Sequence, residues 1–510
     1  MTLLAGDILR LAARRAPNRT AVIDGARTID FATLDQEADR LANALHARGV
    51  TKGVHVGVIS SNRLEYAIIN FAVARTGAVL CHLSYRSNAD DVAFALDKVR
   101  AEAVLVERAF AHAVAAARDR VPTLRHVVVF GDEDDHALAA FTAGRPAEPP
   151  PVRLVPDDPL CITFTGGTTG LPKAVVATHR ARGLTAFAAA YEFAIDETDV
   201  MIQPAPLFHT AGMCIWFHPA VLIGATSVML RRWDVAHFIE LVERHRVTAL
   251  FMVPTQLGDL IRHPEFTPAR LASVKKIGYA AAPMPPALFD ELRRHLPAVA
   301  FTENYGSTEG GLMTVRPPRL AVDKAGSVGR PVLGHELAVV DNNGTPVADG
   351  DIGFIVARGA ACFSGYWEDS EETVAALHGG WLWTGDIGYR DADGFYFLVD
   401  RAKDMLILGG ENVYPKEIEN ALYRHPAVAE CAVFGIPDGR LGEVPAAHVV
   451  LRPGATVTEA ALIEFCAGAV ARHKRPRLVR FVEALPKTTV GKIQKNVIRA
   501  AYWPDAAGAR

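Results

Sequence analysis

Between Thr163 and Lys173 the chain reads Thr-Phe-Thr-Gly-Gly-Thr-Thr-Gly-Leu-Pro-Lys, placing three glycines, four hydroxyl side chains and a lysine within eleven residues. Glycines let successive backbone N–H groups converge on one point, and such a nest attracts anions. Hydroxyls add donors to phosphate oxygens or ligands to Mg²⁺, and the lysine adds a point charge. The chemistry on offer is polyphosphate binding; a surface turn has the same composition. A Walker A loop is excluded, because Leu171-Pro172 separates Gly170 from Lys173. A second punctuated stretch, residues 299–311, reads Val-Ala-Phe-Thr-Glu-Asn-Tyr-Gly-Ser-Thr-Glu-Gly-Gly. It sets an aromatic ring, hydroxyls and a carboxylate beside glycines, which is the inventory for stacking a base and holding a metal. His209 closes the apolar run from Met201. By residue type alone, a histidine in that place reads as a packed structural residue.

These groups need elements to position them. Residues 1 to about 150 alternate helical and strand patterns. Phe31–Ala47 has apolar residues at helical spacing, Val54–Ile59 alternates as a strand, and Ser61-Asn62 supply cap residues for a helix through Tyr66, Ile69 and Phe71. Short strands at 103–106 and 127–130 continue the alternation, which implies parallel sheets covered by helices. Residues 132–156 read as a surface connection. After the glycine loop, His179–Tyr191 is expected to be a helix, so that a strand–loop–helix unit presents the nest. Strands at 228–230, 249–252 and 276–279 follow. From Gly334 the texture changes to short strands and turns, a small β-rich subdomain. Asp400-Arg-Ala-Lys-Asp404, with four charges in five residues, marks a boundary. The tail carries a βαβ-like pattern: Val413-Tyr414, the helix Pro415–His425, and the strand Glu430–Phe434.

With 510 residues, 50% of them hydrophobic, the chain can bury more than one core. A formal net charge of −3 gives no bulk electrostatic reason for nucleic-acid binding. Six scattered cysteines without a C-x-x-C pair argue against structural zinc and a disulfide framework, and a reducing, cytoplasmic setting is expected. No stretch approaches the roughly 18–20 apolar residues of a membrane span. A homodimer stays open.

Five motifs in order make the chain resemble the adenylate-forming superfamily of acyl-CoA synthetases, carrier-loading adenylation domains and beetle luciferases. They are Thr165–Lys173, Tyr305-Gly-Ser-Thr-Glu309, Thr384-Gly-Asp386, Asp400-Arg-Ala-Lys403 and Pro486-Lys-Thr-Thr-Val-Gly-Lys492. The resemblance implies an α/β fold: a large N-terminal domain (1–399) of parallel-sheet subdomains plus a β-rich subdomain, a hinge at Asp400, and a small mobile α+β C-terminal domain (401–510). It implies that ATP and a carboxylate give an acyl-adenylate, whose acyl group passes to coenzyme A. Thr165, Gly166, Gly167, Thr168, Thr169, Gly170 and Lys173 would wrap the β- and γ-phosphates. Glu309, with Thr168, would hold Mg²⁺, and Thr308 would meet the α-phosphate. Tyr305 would stack on adenine beside Ala281, Ala282, Asn304 and Gly306. Asp386 and Arg401 would take the ribose, and Lys492 would be the catalytic lysine. Gly409, Gly410 and Glu411 would face coenzyme A after the C-terminal domain rotates. The resemblance also moves His209 to the reacting carboxylate and thiol.

Three positions depart from the family's pattern: Gly166 in place of serine, and Ala174 and Ala280 in place of glycine. None removes a charged catalytic group. Phe208, Trp216, Gly278 and Gly310 would wall the acyl pocket. Trp216 would shorten it for medium, cyclic or aryl acids, whereas Gly310 and Gly311 would open a tunnel. An acyl-CoA ligase of fatty-acid or related metabolism is the leading reading. An enzyme loading a carrier protein and a non-catalytic nucleotide-binding relative are the alternatives.

Overall fold

The computed structural model describes residues 4–131, 136–165, 172–408, 411–487 and 493–503, without the side chains of His136, Ala137 and Glu411. The chain divides into two compact units, Met1–Leu337 with Ala357–Leu382, and Ala338–Val356 with Trp383–Arg510. The division falls inside the strands His335–Val340, Gly353–Gly359 and Trp381–Arg390.

The first unit contains two large sheets. One has the strand order Gly365–Tyr366, Lys173–Thr178, Pro159–Thr165, Val79–Leu83, His55–Ile59, Ala103–Glu107, His126–Phe130. Pairing is parallel from Pro159–Thr165 to His126–Phe130, and antiparallel only at the Lys173–Thr178 edge. Its three central strands, Val79–Leu83, His55–Ile59 and Ala103–Glu107, are buried end to end, as parallel strands covered on both faces must be. The other sheet runs Arg330–Pro331, Gly311–Arg316, Ala300–Ser307, Lys276–Tyr279, Ala249–Met252, Val200–Gln203, Thr226–Met229, Thr20–Asp24, Arg27–Asp30. Leu96, Val104 and Ile162 pack the first core, and Ile202, Phe238 and Leu250 the second. The helix Leu64–Thr76 is buried at every residue, and its charged members are paired: Glu65 with Arg27 and Arg63, Arg75 with Asp35 and Asp39.

In the second unit, Trp381–Arg390 (from Trp383) pairs antiparallel with Tyr396–Arg401. A further sheet has the order Glu411–Val413, Leu406–Leu408, Gly442–Leu451, Val428–Asp438, with Leu478–Phe481 parallel to Gly442–Leu451. Its core is built from Ile418, Leu422, Val433, Val444, Val449 and Leu462.

Four local expectations change. The glycine loop is followed by the strand Lys173–Thr178 before the helix His179–Glu192 begins, so a hairpin, not a strand–loop–helix unit, carries it. The run Ala-Val-Val-Ala-Thr after Lys173 favours extended backbone, and Thr178 caps the helix by accepting from the Ala181 N–H. Ser61-Asn62 cap nothing; the helix starts at Leu64 after Arg63, which makes no side-chain cap bond. The connection after residue 131 contains the short helix His136–Thr142. In the tail, Glu411–Val413 and Val428–Asp438 are not neighbours; the parallel pair is Gly442–Leu451 with Leu478–Phe481, joined through the helix Glu459–Phe465.

Candidate active site

Strands Pro159–Thr165 and Lys173–Thr178 pair so that Thr165 lies opposite Lys173, and the two residues frame the glycine loop. Gly166, Gly167, Thr168, Thr169 and Gly170 lie outside the described residues. The Lys173 ammonium is held 2.5 Å from a Glu372 carboxylate oxygen and 5.1 Å from the centre of the Tyr366 ring. This cation therefore has a fixed direction and a carboxylate partner.

The strands Ala300–Ser307 and Gly311–Arg316 carry the second cluster. Their register shifts between Tyr305 and Gly306, and that irregularity aims the following turn. Gly306 is required sterically, because a Cβ there would stand 2.0 Å from the Gly311 carbonyl oxygen. Gly311 has φ +67°, a left-handed conformation suited to glycine. Tyr305, Asn304 and Thr308 are buried. Asn304 Nδ2 donates to the Tyr279 carbonyl at 3.0 Å, which fixes the residue beside the Ala280–Ala282 segment. Ala281 has φ +71°, a conformation alanine rarely adopts, and strain of that kind gathers at ligand sites. Glu309 is half-buried and accepts a hydrogen bond from the Tyr366 hydroxyl at 3.0 Å. Burial, then the Glu309 charge, raises the Tyr366 pKa, so that hydroxyl stays protonated and remains a donor.

Phe208 and His209 follow Val200–Gln203 and precede the π-helical segment Ala211–Phe217. Asn62 clamps this stretch: its Nδ2 donates to the Gln203 and Ala205 carbonyls, at 2.8 and 2.9 Å, and its Oδ1 accepts from Leu207 N–H at 2.8 Å. Phe208 meets the Tyr85 ring edge-on at 5.6 Å. His209 is half-buried, with Nδ1 3.4 Å from the Ala211 N–H. Trp216 does not face open space. It is 1% exposed, donates from Nε1 to the Ile202 carbonyl, and packs on Phe193 and Phe251. A Cβ on Gly278 would meet the Phe193 and Phe251 rings at 2.9 and 3.0 Å, and one on Gly310 would meet the Met313 sulfur at 2.5 Å. The room that these two glycines leave is filled, so Gly310 opens no tunnel on that side.

In the second unit, the register of Trp381–Arg390 on Tyr396–Arg401 sets Asp386 opposite Arg401, with Nε 3.2 Å from Oδ1. Arg401 is half-exposed, so such a pair adds at most about 1 kcal/mol of stability. Asp400 is buried and bridges two backbone donors, Arg401 N–H and Lys416 N–H, each at 2.8 Å. Burial pushes its pKa up. Gly409, Gly410 and Lys492 lie outside the described residues, as does the side chain of Glu411.

Among the described residues no group of three or more His, Cys, Asp or Glu side chains could hold a metal, and no helix is long and apolar enough to cross a membrane. A single carboxylate, Glu309, beside Thr308 is nonetheless the donor set expected for Mg²⁺ that arrives on phosphates, since that ion takes one or two carboxylates and keeps its waters. Sequence reasoning missed Asn62, Tyr366 and Glu372. Of these, only Tyr366 carried a signal, as an aromatic with a hydroxyl in Gly365-Tyr366-Trp367.

The model of AMP-binding enzymes matches residues 9–367, and that of the AMP-binding enzyme C-terminal domain matches 417–492. A feruloyl-CoA synthase of an Amycolatopsis species is 34% identical over 505 residues, covering 96% of this chain and 97% of that protein. A medium/long-chain-fatty-acid–CoA ligase of Mycobacterium tuberculosis is 31% identical, covering 99% and 91%. The solved structure of the anthranilate CoA ligase AuaEII in complex with anthranoyl-AMP superposes with a TM-score of 0.91 at 29% identity, covering 99% of this chain and 98% of that one.

Proposed function

The chain belongs to the AMP-binding enzyme family, and we infer that it is an acid–thiol ligase that activates a compact carboxylic acid with ATP. The carboxylate oxygen attacks the α-phosphorus, pyrophosphate leaves, and an acyl-adenylate forms. The thiol of coenzyme A then attacks the acyl carbon, and AMP departs with the bridging oxygen. The first step brings two anions together, so orientation and charge neutralisation dominate.

The residue roles follow the family resemblance and are supported by the local geometry. Thr165 and Lys173 hold the ends of the phosphate loop, and Lys173 exchanges Glu372 for phosphate oxygen. Tyr305, Gly306, Asn304, Ala281 and Ala282 form the adenine wall, and Thr308 meets the α-phosphate. Asp386 and Arg401 take the ribose, a reading supported by their facing register. Bound Mg²⁺ would neutralise phosphate charge, with Glu309 and Thr168 holding it. His209 meets the reacting carboxylate. Lys492 stabilises the adenylation transition state, Asp400 is the hinge, and residues 409–411 meet coenzyme A after rotation of the C-terminal domain.

The observation that carries the substrate reading is the filled aromatic cluster of Phe193, Trp216 and Phe251 against Gly278. It leaves no long channel there and favours aryl, alicyclic or short acyl groups, in line with the feruloyl- and anthranilate-activating relatives. The test is a panel of aryl, alicyclic and fatty acids with ATP, with and without coenzyme A. Acyl-CoA, AMP and pyrophosphate are expected from a compact acid; adenylate formed with no response to coenzyme A would favour a carrier protein as acceptor, and preference for long chains would overturn the substrate class. A cytoplasmic location is part of this proposal.

A further inference from the structure

Arg182 lies in the helix His179–Glu192 and is fully buried. A guanidinium keeps its charge in proteins and brings five N–H donors, so burying one demands partners. Arg182 has few. Its Nη2 donates to the Thr308 carbonyl at 3.0 Å, whereas Nε and Nη1 are buried and meet no oxygen or nitrogen acceptor; the Cys161 sulfur, a weak acceptor, is the hydrogen-bonding group beside them.

The surroundings do not neutralise it. Burial lifts the Cys214 thiol to about 12 and raises Cys161, so both stay protonated at neutral pH. Burial also holds His82 and His218 near 3, so both stay neutral. The carboxylate that acts on Arg182 is Glu309.

Arg316 shows what a structural buried arginine looks like in the same unit. It is 3% exposed, and every nitrogen is used: Nε on the Ser327 carbonyl, Nη1 on the Ala321 carbonyl, Nη2 on the Tyr279 hydroxyl and Glu303. The fold satisfies Arg316 and leaves Arg182 short. An unsatisfied buried cation costs stability, and such costs concentrate where function needs them.

We propose that Arg182 is a positioning residue of the nucleotide site: it pins the Thr308–Glu309 turn through the Thr308 carbonyl and sets fixed positive charge behind the place where the triphosphate and the acid's carboxylate gather. This rests on the proposed function, in which Thr308 and Glu309 serve the α-phosphate and Mg²⁺. Arg182 touches neither ligand. It acts by removing the freedom of the turn and by charge that needs no reorganisation on binding.

The test compares Arg182→Met with the unaltered chain in equilibrium binding of Mg·ATP and of adenosine, alongside thermal unfolding. The Kd for Mg·ATP should rise about tenfold, the scale of a lost hydrogen bond to a charged group. Adenosine binding should not change, and the melting temperature should hold or rise, because an unsatisfied charge has gone. Equal Kd values for Mg·ATP in both proteins, or equal weakening for Mg·ATP and adenosine, overturn the proposal. If Arg182→Met does not fold, Arg182→Gln carries the test, since it keeps an N–H and removes the charge; an unchanged Mg·ATP Kd again overturns it. Failure of the unaltered chain to bind Mg·ATP would instead contradict the proposed function.

Discussion

In the proposed function, single residues set which acid fits and which groups hold their direction. Phe193 occupies the space in front of Gly278 and packs edge-on against both Trp216 and Phe251. Phe193→Leu should cost about 1 kcal/mol of stability, since part of the ring's volume is refilled. It should also raise kcat/KM for an acid longer by one or two carbons relative to the best acid; an unchanged ratio would show that this wall does not bound the pocket. At this scale the sequence was legible where residue type and chemistry coincide. Tyr305, Glu309 and Asp386 stood out because they are an aromatic and two carboxylates beside glycines. Trp216 is 1% exposed and packs on Phe193 and Phe251, a burial that its letter alone does not announce. Glu372 was invisible, because its role comes from meeting a lysine 199 residues earlier in the chain.

Elements decide how those residues are aimed. The strands that flank the glycine loop pair as an antiparallel hairpin, with Thr165 opposite Lys173, and the helix His179–Glu192 begins only after the second of them. The period of the apolar residues made most strands and helices readable, and the missed strand after Lys173 is short and begins at a loop boundary, where pattern is weakest. Asn62 is the element-scale clamp, with three hydrogen bonds to residues 203–207. Asn62→Ala should destabilise by about 1–3 kcal/mol by leaving buried backbone groups unpaired. It should lower kcat/KM for the acid far more than it changes Mg·ATP binding, because the segment it holds leads to Phe208 and His209. Equal losses in both measurements would show that the segment serves the nucleotide as well.

The whole molecule couples stability to pH through buried imidazoles. His82 and His218 sit near 3 and His179 near 4, against 6.5 for an ordinary histidine, in each case chiefly because burial disfavours the charged form. The unfolded chain therefore binds more protons below pH 6.5, and stability falls as pH drops from 6.5 toward 4, by up to about 1.4 kcal/mol per pH unit for each histidine. A melting temperature that stays flat from pH 7 to pH 5 would contradict neutral buried rings. The proposed two-pose mechanism predicts that Lys492→Ala abolishes acid-dependent pyrophosphate exchange, yet still converts supplied acyl-adenylate to the thioester. Equal loss of both half-reactions would refute separate adenylation and thioester poses. Five ordered motifs made family and reaction readable across 510 residues. The acid stayed unread, because its pocket is shaped by packing among residues far apart in sequence. The most direct test of the central claim uses the best acid of the panel with ¹⁸O in its carboxylate. Adenylation predicts one label in AMP for each acyl-CoA formed, whereas label appearing in orthophosphate, with ADP as the nucleotide product, would contradict it.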